Sequence, residues 1–490
     1  MSMGHWHSRQ TRSTKGDRGV VQRTLRLTGI LNARPTFSSR AWTSEASKTN
    51  DSLFMSPMYS LEVESSAHLP RTLGQHAIPS AGALVLLVVF MGMSLLVLPE
   101  LHHLHGWSYT MDIWNYFQVA HLADIGAYPA VYGQLALNVT PGIIVALGPV
   151  WSITHAAGMT VAYVFPVWHP TAWLVLGPYE VVLSVPALFA VDAVAVRLGA
   201  SPSRRLLICA AEVYVLYNVV MWGHPEDAVA VACLLYACLA ASEKRWSRFG
   251  WLFGTAVAFQ PVVLLALPLL LLIAGWRRLP GLLARIATPT AILLVLPLTM
   301  NWSVTMHALT SQATYPTLNR PTPWLRLAPS LGHEGFIGVS AVAAAADGPS
   351  RLLAILFSFI LAIFFRRAAA ELGVLIAAVA IALSLWCDFE TVIAPYYVWP
   401  TIAVALIGLS TTSRMRSVSA LIFAILADLA SNADLHAEWM WWMIVCALGA
   451  LLAASWPRAR AHSNERVSVD TPRSMEMLAA KGRSSTDNGC

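Results

Sequence analysis

Apolar runs of bilayer length recur along this chain from residue 81 to residue 456, and no other property restricts its folding so severely. A helix needs roughly 20 apolar residues to cross a hydrocarbon core, because each residue advances it by only about 1.5 Å. Candidate crossings fall at 81–98, 135–153, 157–177, 179–197, 205–222, 227–242, 286–300, 351–365, 370–388, 391–410, 417–431 and 439–456. In hydrocarbon, each backbone N–H and C=O must find its partner within the protein, so these twelve runs predict an all-α polytopic bundle of transmembrane helices. Composition agrees, since charged residues make up 12% of the chain against roughly 25% in soluble domains. An apolar share of 56% excludes a disordered chain. Six cysteines without a CxxC pair exclude both a small disulfide scaffold and a common zinc motif.

Two polar tails flank the domain at 81–456: residues 1–80, basic and Arg-rich, and residues 457–490, both expected to be disordered. A net charge of +6 would suggest nucleic acid in a soluble protein. Here it marks cytoplasmic loops instead, and no nucleic-acid partner is expected. No Lys or Arg occurs from Thr72 to Val196, and later basic clusters lie at 197–205, 244–248, 277–285, 366–367 and 414–416. All of them share a side with the tails if both termini are cytoplasmic, which predicts a multi-pass protein of the cell membrane. Segment 249–275 has basic residues at both ends and Gln260-Pro261 near its middle, so a re-entrant hairpin of two short helices satisfies the charge pattern; one long kinked span is the alternative.

Five connections then face outward: 99–134, 223–227, 301–350, 387–390 and 432–438. In the first, Ile113, Tyr116, Phe117 and Ala120 recur at helical spacing and Gly126 supplies a stop, which predicts a short amphipathic helix at the membrane interface. Asp112 stands in its first turn, where a carboxylate either caps the helix or serves chemistry. In Gly223-His224-Pro225-Glu226-Asp227 the proline and acids suit a helix start, with Asp227 expected to cap it. As functional groups, His224, Glu226 and Asp227 offer hydroxyl or divalent-ion contacts, although a metal would need further ligands from other loops, so none is indicated. Arg320 and Arg326 run against the charge bias of an external loop. Guanidinium groups bind phosphate in two-pronged fashion, and Trp324 beside them suits a prenyl chain or a sugar face; contact with lipid headgroups accounts for them equally well.

Asp112, Tyr116, Ala120, Gly126, Tyr128-Pro129 and Pro141 together resemble the first extracytoplasmic loop of the GT-C superfamily, membrane glycosyltransferases that use polyprenyl-phosphate sugars. The run from Gly223 to Asp227, the basic turn Lys244 to Arg248, and Gly250 to Pro261 are similar to the central region of actinobacterial mannosyltransferase-type members. A third similarity lies in Ala394-Pro395-Tyr396-Tyr397-Val398-Trp399-Pro400. The sequence departs from the pattern in carrying a single Asp followed by Ile113, and Asn138-Val139-Thr140-Pro141 in place of a proline pair.

The resemblance implies a GT-C-like fold, and transfer of a sugar from a polyprenyl-phosphate donor to a glycolipid or glycan acceptor at the external face. It implies Asp112 as catalytic base, with Tyr116, His224, Glu226, Asp227, Arg320, Trp324 and Arg326 binding substrate; no cofactor is indicated, although the chemistry has room for a divalent metal. A rival reading is a transporter or flippase built on Glu212, a carboxyl at mid-span with Tyr214, Tyr217, Asn218 and Trp222 nearby in the helix. A non-catalytic membrane protein is the third.

Overall fold

The computed structural model describes residues 76–96, 111–132, 140–159, 172–310, 313–314, 320–336, 339–345, 348–433 and 437–457. Helices dominate. The N-terminal ones are α1 (Ala77–Leu96), α2 (Met111–Asp124), α3 (Pro141–Ala156) and α4 (Trp173–Arg197). Next come α5 (Pro202–Trp222), α6 (Pro225–Ser242), α7 (Trp246–Phe259), α8 (Leu267–Ala274) and α9 (Leu279–Met300). After α10 (Trp302–Thr310) the chain forms α11 (Pro349–Phe365), α12 (Leu372–Phe389), α13 (Trp399–Leu406), α14 (Arg414–Asn432) and α15 (Glu438–Ser455).

Seven helices among the described residues are long and apolar enough to cross a membrane, and each coincides with an expected span. They comprise α4, α5, α6, α9 with the turn before it, α12, α14 and α15. The runs at 81–98, 135–153, 351–365 and 391–410 fall on shorter apolar helices, so among the described residues helix length identifies seven of the twelve expected crossings. Residues 160–171 of the run 157–177 lie outside the described residues, and its far end belongs to α4.

Side-chain size is sorted in a way that suits lipid. On α11, Ser350, Ala354, Ser358 and Ala362 are buried at four-residue spacing while Leu352, Leu356, Phe359 and Ile363 are exposed. On α14, Ser417, Ala420, Ala424 and Ala427 are buried, whereas Val418, Ile422, Ile425 and Leu429 face outward. Water would reverse this order; in a bilayer, small residues let helices approach and bulky apolar ones meet acyl chains. The chain is therefore an α-helical membrane protein.

Close helix crossings follow the same logic. Gly250 and Gly254 of α7, one turn apart, face α9: a Cβ placed at Gly254 would lie 2.5 Å from the Ile286 carbonyl oxygen, and one at Gly250 would lie 2.8 Å from the Arg285 Cβ. The α4 and α5 helices are joined by a fork in which Arg205 Nε and Nη2 donate to the two oxygens of Asp192, each at 2.7 Å. At Gln260, α7 ends with φ −149° and ψ 108°, and a 3-10 turn, Pro261–Ala266, leads into α8. Segment 249–275 is thus two short helices broken at the proline.

Part of the connection 301–350 is ordered rather than plain loop. Beyond α10 it contains β1 (Ala313–Thr314), β2 (Arg320–Pro321), β3 (Ser330–Phe336) and β4 (Val339–Ala345), and a fifth strand, β5 (Val392–Ile393), follows α12. Antiparallel pairing gives a three-stranded sheet in the order β1-β4-β3, while β2 pairs with β5, Arg320 opposite Ile393. These strands amend a purely all-α expectation without displacing the bundle.

Candidate functional site

The turn between α5 and α6 is the centre of the site. Gly223 takes the left-handed conformation (φ 71°) that ends α5, with Gly223 N–H donating to the Val220 carbonyl and His224 N–H to the Val219 carbonyl, both at 3.1 Å. A Cβ at that φ would be strained, hence the glycine. Pro225 then starts α6 at its first position, where its missing N–H costs nothing, and Glu226 and Asp227 occupy the first turn. His224, Glu226 and Asp227 are all buried.

His224 at the N-cap position makes no side-chain cap bond, and Asp227 stands in the first turn of α6, where the sequence places it. Its Oδ1 accepts from Gln260 Nε2 at 2.6 Å. Gln260 is available because α7 breaks there, turning the side chain at the helix end toward the neighbouring start of α6. Glu226 Oε1 lies 2.7 Å from His224 Nδ1 and accepts from the Tyr116 hydroxyl at 2.9 Å. That tyrosine ring also meets the His224 ring edge-on, and the ring of Tyr396 stacks on His224 with centroids 3.5 Å apart.

Tyr116 comes from α2, whose Ile113, Tyr116, Phe117 and Ala120 are buried at the expected spacing and which ends before Gly126. The predicted helix at 111–124 therefore exists, and it docks on the turn between α5 and α6. Asp112 lies in the first turn of α2, four residues before Tyr116 and so on the same helical face; its side chain lies outside the described residues.

Arg320, Trp324 and Arg326 form a neighbouring layer. Thr322 Oγ1 donates to the Glu390 carbonyl at 2.7 Å and Trp324 Nε1 to the Asp388 carbonyl at 2.6 Å, tying this segment to the end of α12. Arg320 is buried and donates to the Ala433 carbonyl. Arg326 Nη2 donates to both oxygens of Glu438 at 3.0 and 2.8 Å on an exposed surface, and Arg351 bonds the buried Glu390 at 3.2 Å. Arg326 and Arg351 thus have carboxylate partners. Through β2 and β5 the layer leads directly into the 3-10 turn Pro395–Val398, which carries Tyr396.

Three further residues complete the site beyond the candidates legible in the sequence: Glu180, Gln260 and Tyr396. Glu180, on α4, is fully buried; neither carboxyl oxygen has a hydrogen-bond partner among the described residues, and it lies within electrostatic reach of Glu226 and His224. A carboxyl inside an apolar span is the available signal, the same one that marks Glu212.

Glu212 itself is fully buried and also without a partner among the described residues. The polar groups near it in sequence point elsewhere. The Tyr214 hydroxyl donates to Asp428 at 2.8 Å, Asn218 Nδ2 to the same carboxylate at 3.3 Å, and Trp222 Nε1 to Asn432 at 3.1 Å, forming a ladder from α5 to α14. Two residues along a helix turn it by about 200°, so Glu212 and Tyr214 face nearly opposite ways and share no continuous polar face.

Among the described residues, no set of three or more His, Cys, Asp or Glu side chains is placed to hold a metal ion. No family model, curated protein or solved structure matches this chain.

Proposed function

We propose that this protein is a membrane glycosyltransferase, transferring a sugar from a polyprenyl-phosphate carrier to a hydroxyl of a glycolipid or glycan at the external face of the cell membrane. One observation carries the reading: the Tyr116 to Glu226 bond joins the helix bearing Asp112 to the His224-Pro225-Glu226-Asp227 turn. Carboxylates, an imidazole and tyrosine rings are the groups that hydroxyl recognition needs, and they meet where two nominated external connections meet.

In this reading Asp112 accepts the proton of the acceptor hydroxyl as its oxygen bonds the anomeric carbon. The bond from that carbon to the carrier phosphate breaks, and polyprenyl phosphate leaves. Tyr116, His224, Glu226 and Asp227 orient the acceptor. Arg320 and Arg326 stand in the layer that would receive the phosphate, and Trp324 beside them suits the prenyl chain. A general base of this kind contributes about 10²- to 10⁴-fold in rate.

Membranes containing the protein are expected to move label from a polyprenyl-phosphate sugar into a glycolipid or glycan. Asp112→Asn lowers transfer by about 10²-fold or more while the protein remains abundant. Unchanged transfer in that variant would remove Asp112 from the role of base.

A further inference from the structure

Glu180 and Glu226 leave three carboxyl oxygens unmatched inside the bundle: both of Glu180 and Oε2 of Glu226 have no hydrogen-bond partner among the described residues. Both residues are buried. Oxygens in such a place want donors, and an unmatched buried acceptor costs more than a bond made elsewhere returns. The charge is equally unbalanced. Glu180, Glu226 and Asp227 face one imidazole, that of His224, and α4 and α6 contribute no Lys or Arg beyond Arg197 at the far end of α4. A protonated His224 would offset one carboxylate of three. The ring of Tyr396 stacks on it and that of Tyr116 meets it nearly at a right angle.

We infer that Glu180 and the free oxygen of Glu226 form a binding site for a primary ammonium group. An ammonium has three N–H donors and one positive charge, matching three acceptor oxygens and the excess of acid. Hydroxyls would satisfy the oxygens without holding any of the carboxyls in its ionised form, which an ammonium does. Two kinds of molecule bring this chemistry to a bilayer surface, an amino sugar and an ethanolamine phospholipid headgroup. The inference rests on the site just described but goes beyond the transfer reading, because binding here requires no reaction.

A hydrophobic carbodiimide reports on it directly, since it adds to protonated buried carboxyls and spares ionised, occupied ones. The full chain in lipid nanodiscs would be treated with dicyclohexylcarbodiimide and the modified glutamates located by mass spectrometry, counting as modified both the N-acylurea and any amide formed when an added amine captures the activated carboxyl. Glu212, buried and unmatched on α5 but outside the site, is the internal control for fold and reagent access. Glucosamine, compared with glucose, is expected to slow modification of Glu180 by about tenfold and leave Glu212 unchanged; a tenfold change corresponds to about 1.4 kcal/mol. Ethanolamine phospholipid, compared with choline phospholipid of the same chains, tests the headgroup source in a separate arm, and protection in either arm supports the site. Glu226→Gln should weaken that protection at Glu180. Equal protection by glucose or by sodium ions, or none by either amine, would overturn the inference. Loss of glycosyl transfer with protection intact would instead count against the enzyme reading alone.

Discussion

Tyr116 holds together two stretches of chain 110 residues apart through one phenol proton donated to Glu226. Tyr116→Phe keeps the ring and removes that donor, leaving Glu226 Oε1 with His224 Nδ1 as its partner among the described residues. Because the site is buried, the expected cost is about 1 to 3 kcal/mol, larger than for the same change on a surface, and a lowered thermal unfolding temperature of the purified protein would show it. Transfer activity should fall as well, since the contact that positions α2 is weakened. A variant with unaltered stability would mean that the phenol is solvated and the interaction weak. His224, Glu226 and Asp227 are visible in the sequence because they crowd a turn between apolar runs. Glu180 is far less so: it becomes meaningful only when α4 packs against α6, and nothing in its neighbours Tyr179 and Val181 records that packing. Arg326 is opaque for the same reason, its partner Glu438 lying 112 residues away.

Among the elements, α7 shows how a helix can be specified at its face and at its end. Gly250 and Gly254 bring it against α9, so Gly254→Leu must push the Ile286 carbonyl aside or separate the helices. Overpacking of this kind costs about 1 to 3 kcal/mol, and reduced yield of folded protein together with a lower unfolding temperature is the expected result. At the other end, Pro261 stops the helix and leaves Gln260 against Asp227. The break and its proline are plain in the sequence; the partner of Gln260 is not. Long spans such as α5, α6 and α12 were equally legible, because bilayer thickness imposes a length on them. The hairpin of β3 and β4 was hidden. Its second strand reads Val-Ser-Ala-Val-Ala-Ala-Ala, and four alanines in seven residues give little of the β-branched or aromatic signal that marks a strand.

For the molecule as a whole, the basic clusters define an orientation that can be checked without reference to catalysis. With native cysteines replaced, a cysteine at Leu327 should react with an impermeant maleimide on intact cells, while one at Ser247 should react only after the membrane is opened. Both positions are exposed, so burial cannot explain a failure to react. Labelling of Ser247 from outside would invert the topology and place the site on the cytoplasmic face. The site draws on widely separated parts of the chain: Tyr116 from α2, Glu180 from α4, Gln260 from the break after α7 and Tyr396 from the turn before α13. Its assembly during synthesis is therefore staged. A ribosome-bound chain paused after α9 already carries every acid of the cluster and the glutamine beside it, but it lacks the ring that stacks on His224. Until the translocon releases the segment around residue 396, the nascent protein holds an acidic cluster without its aromatic cover, and that ring arrives only in the last fifth of the 490-residue chain.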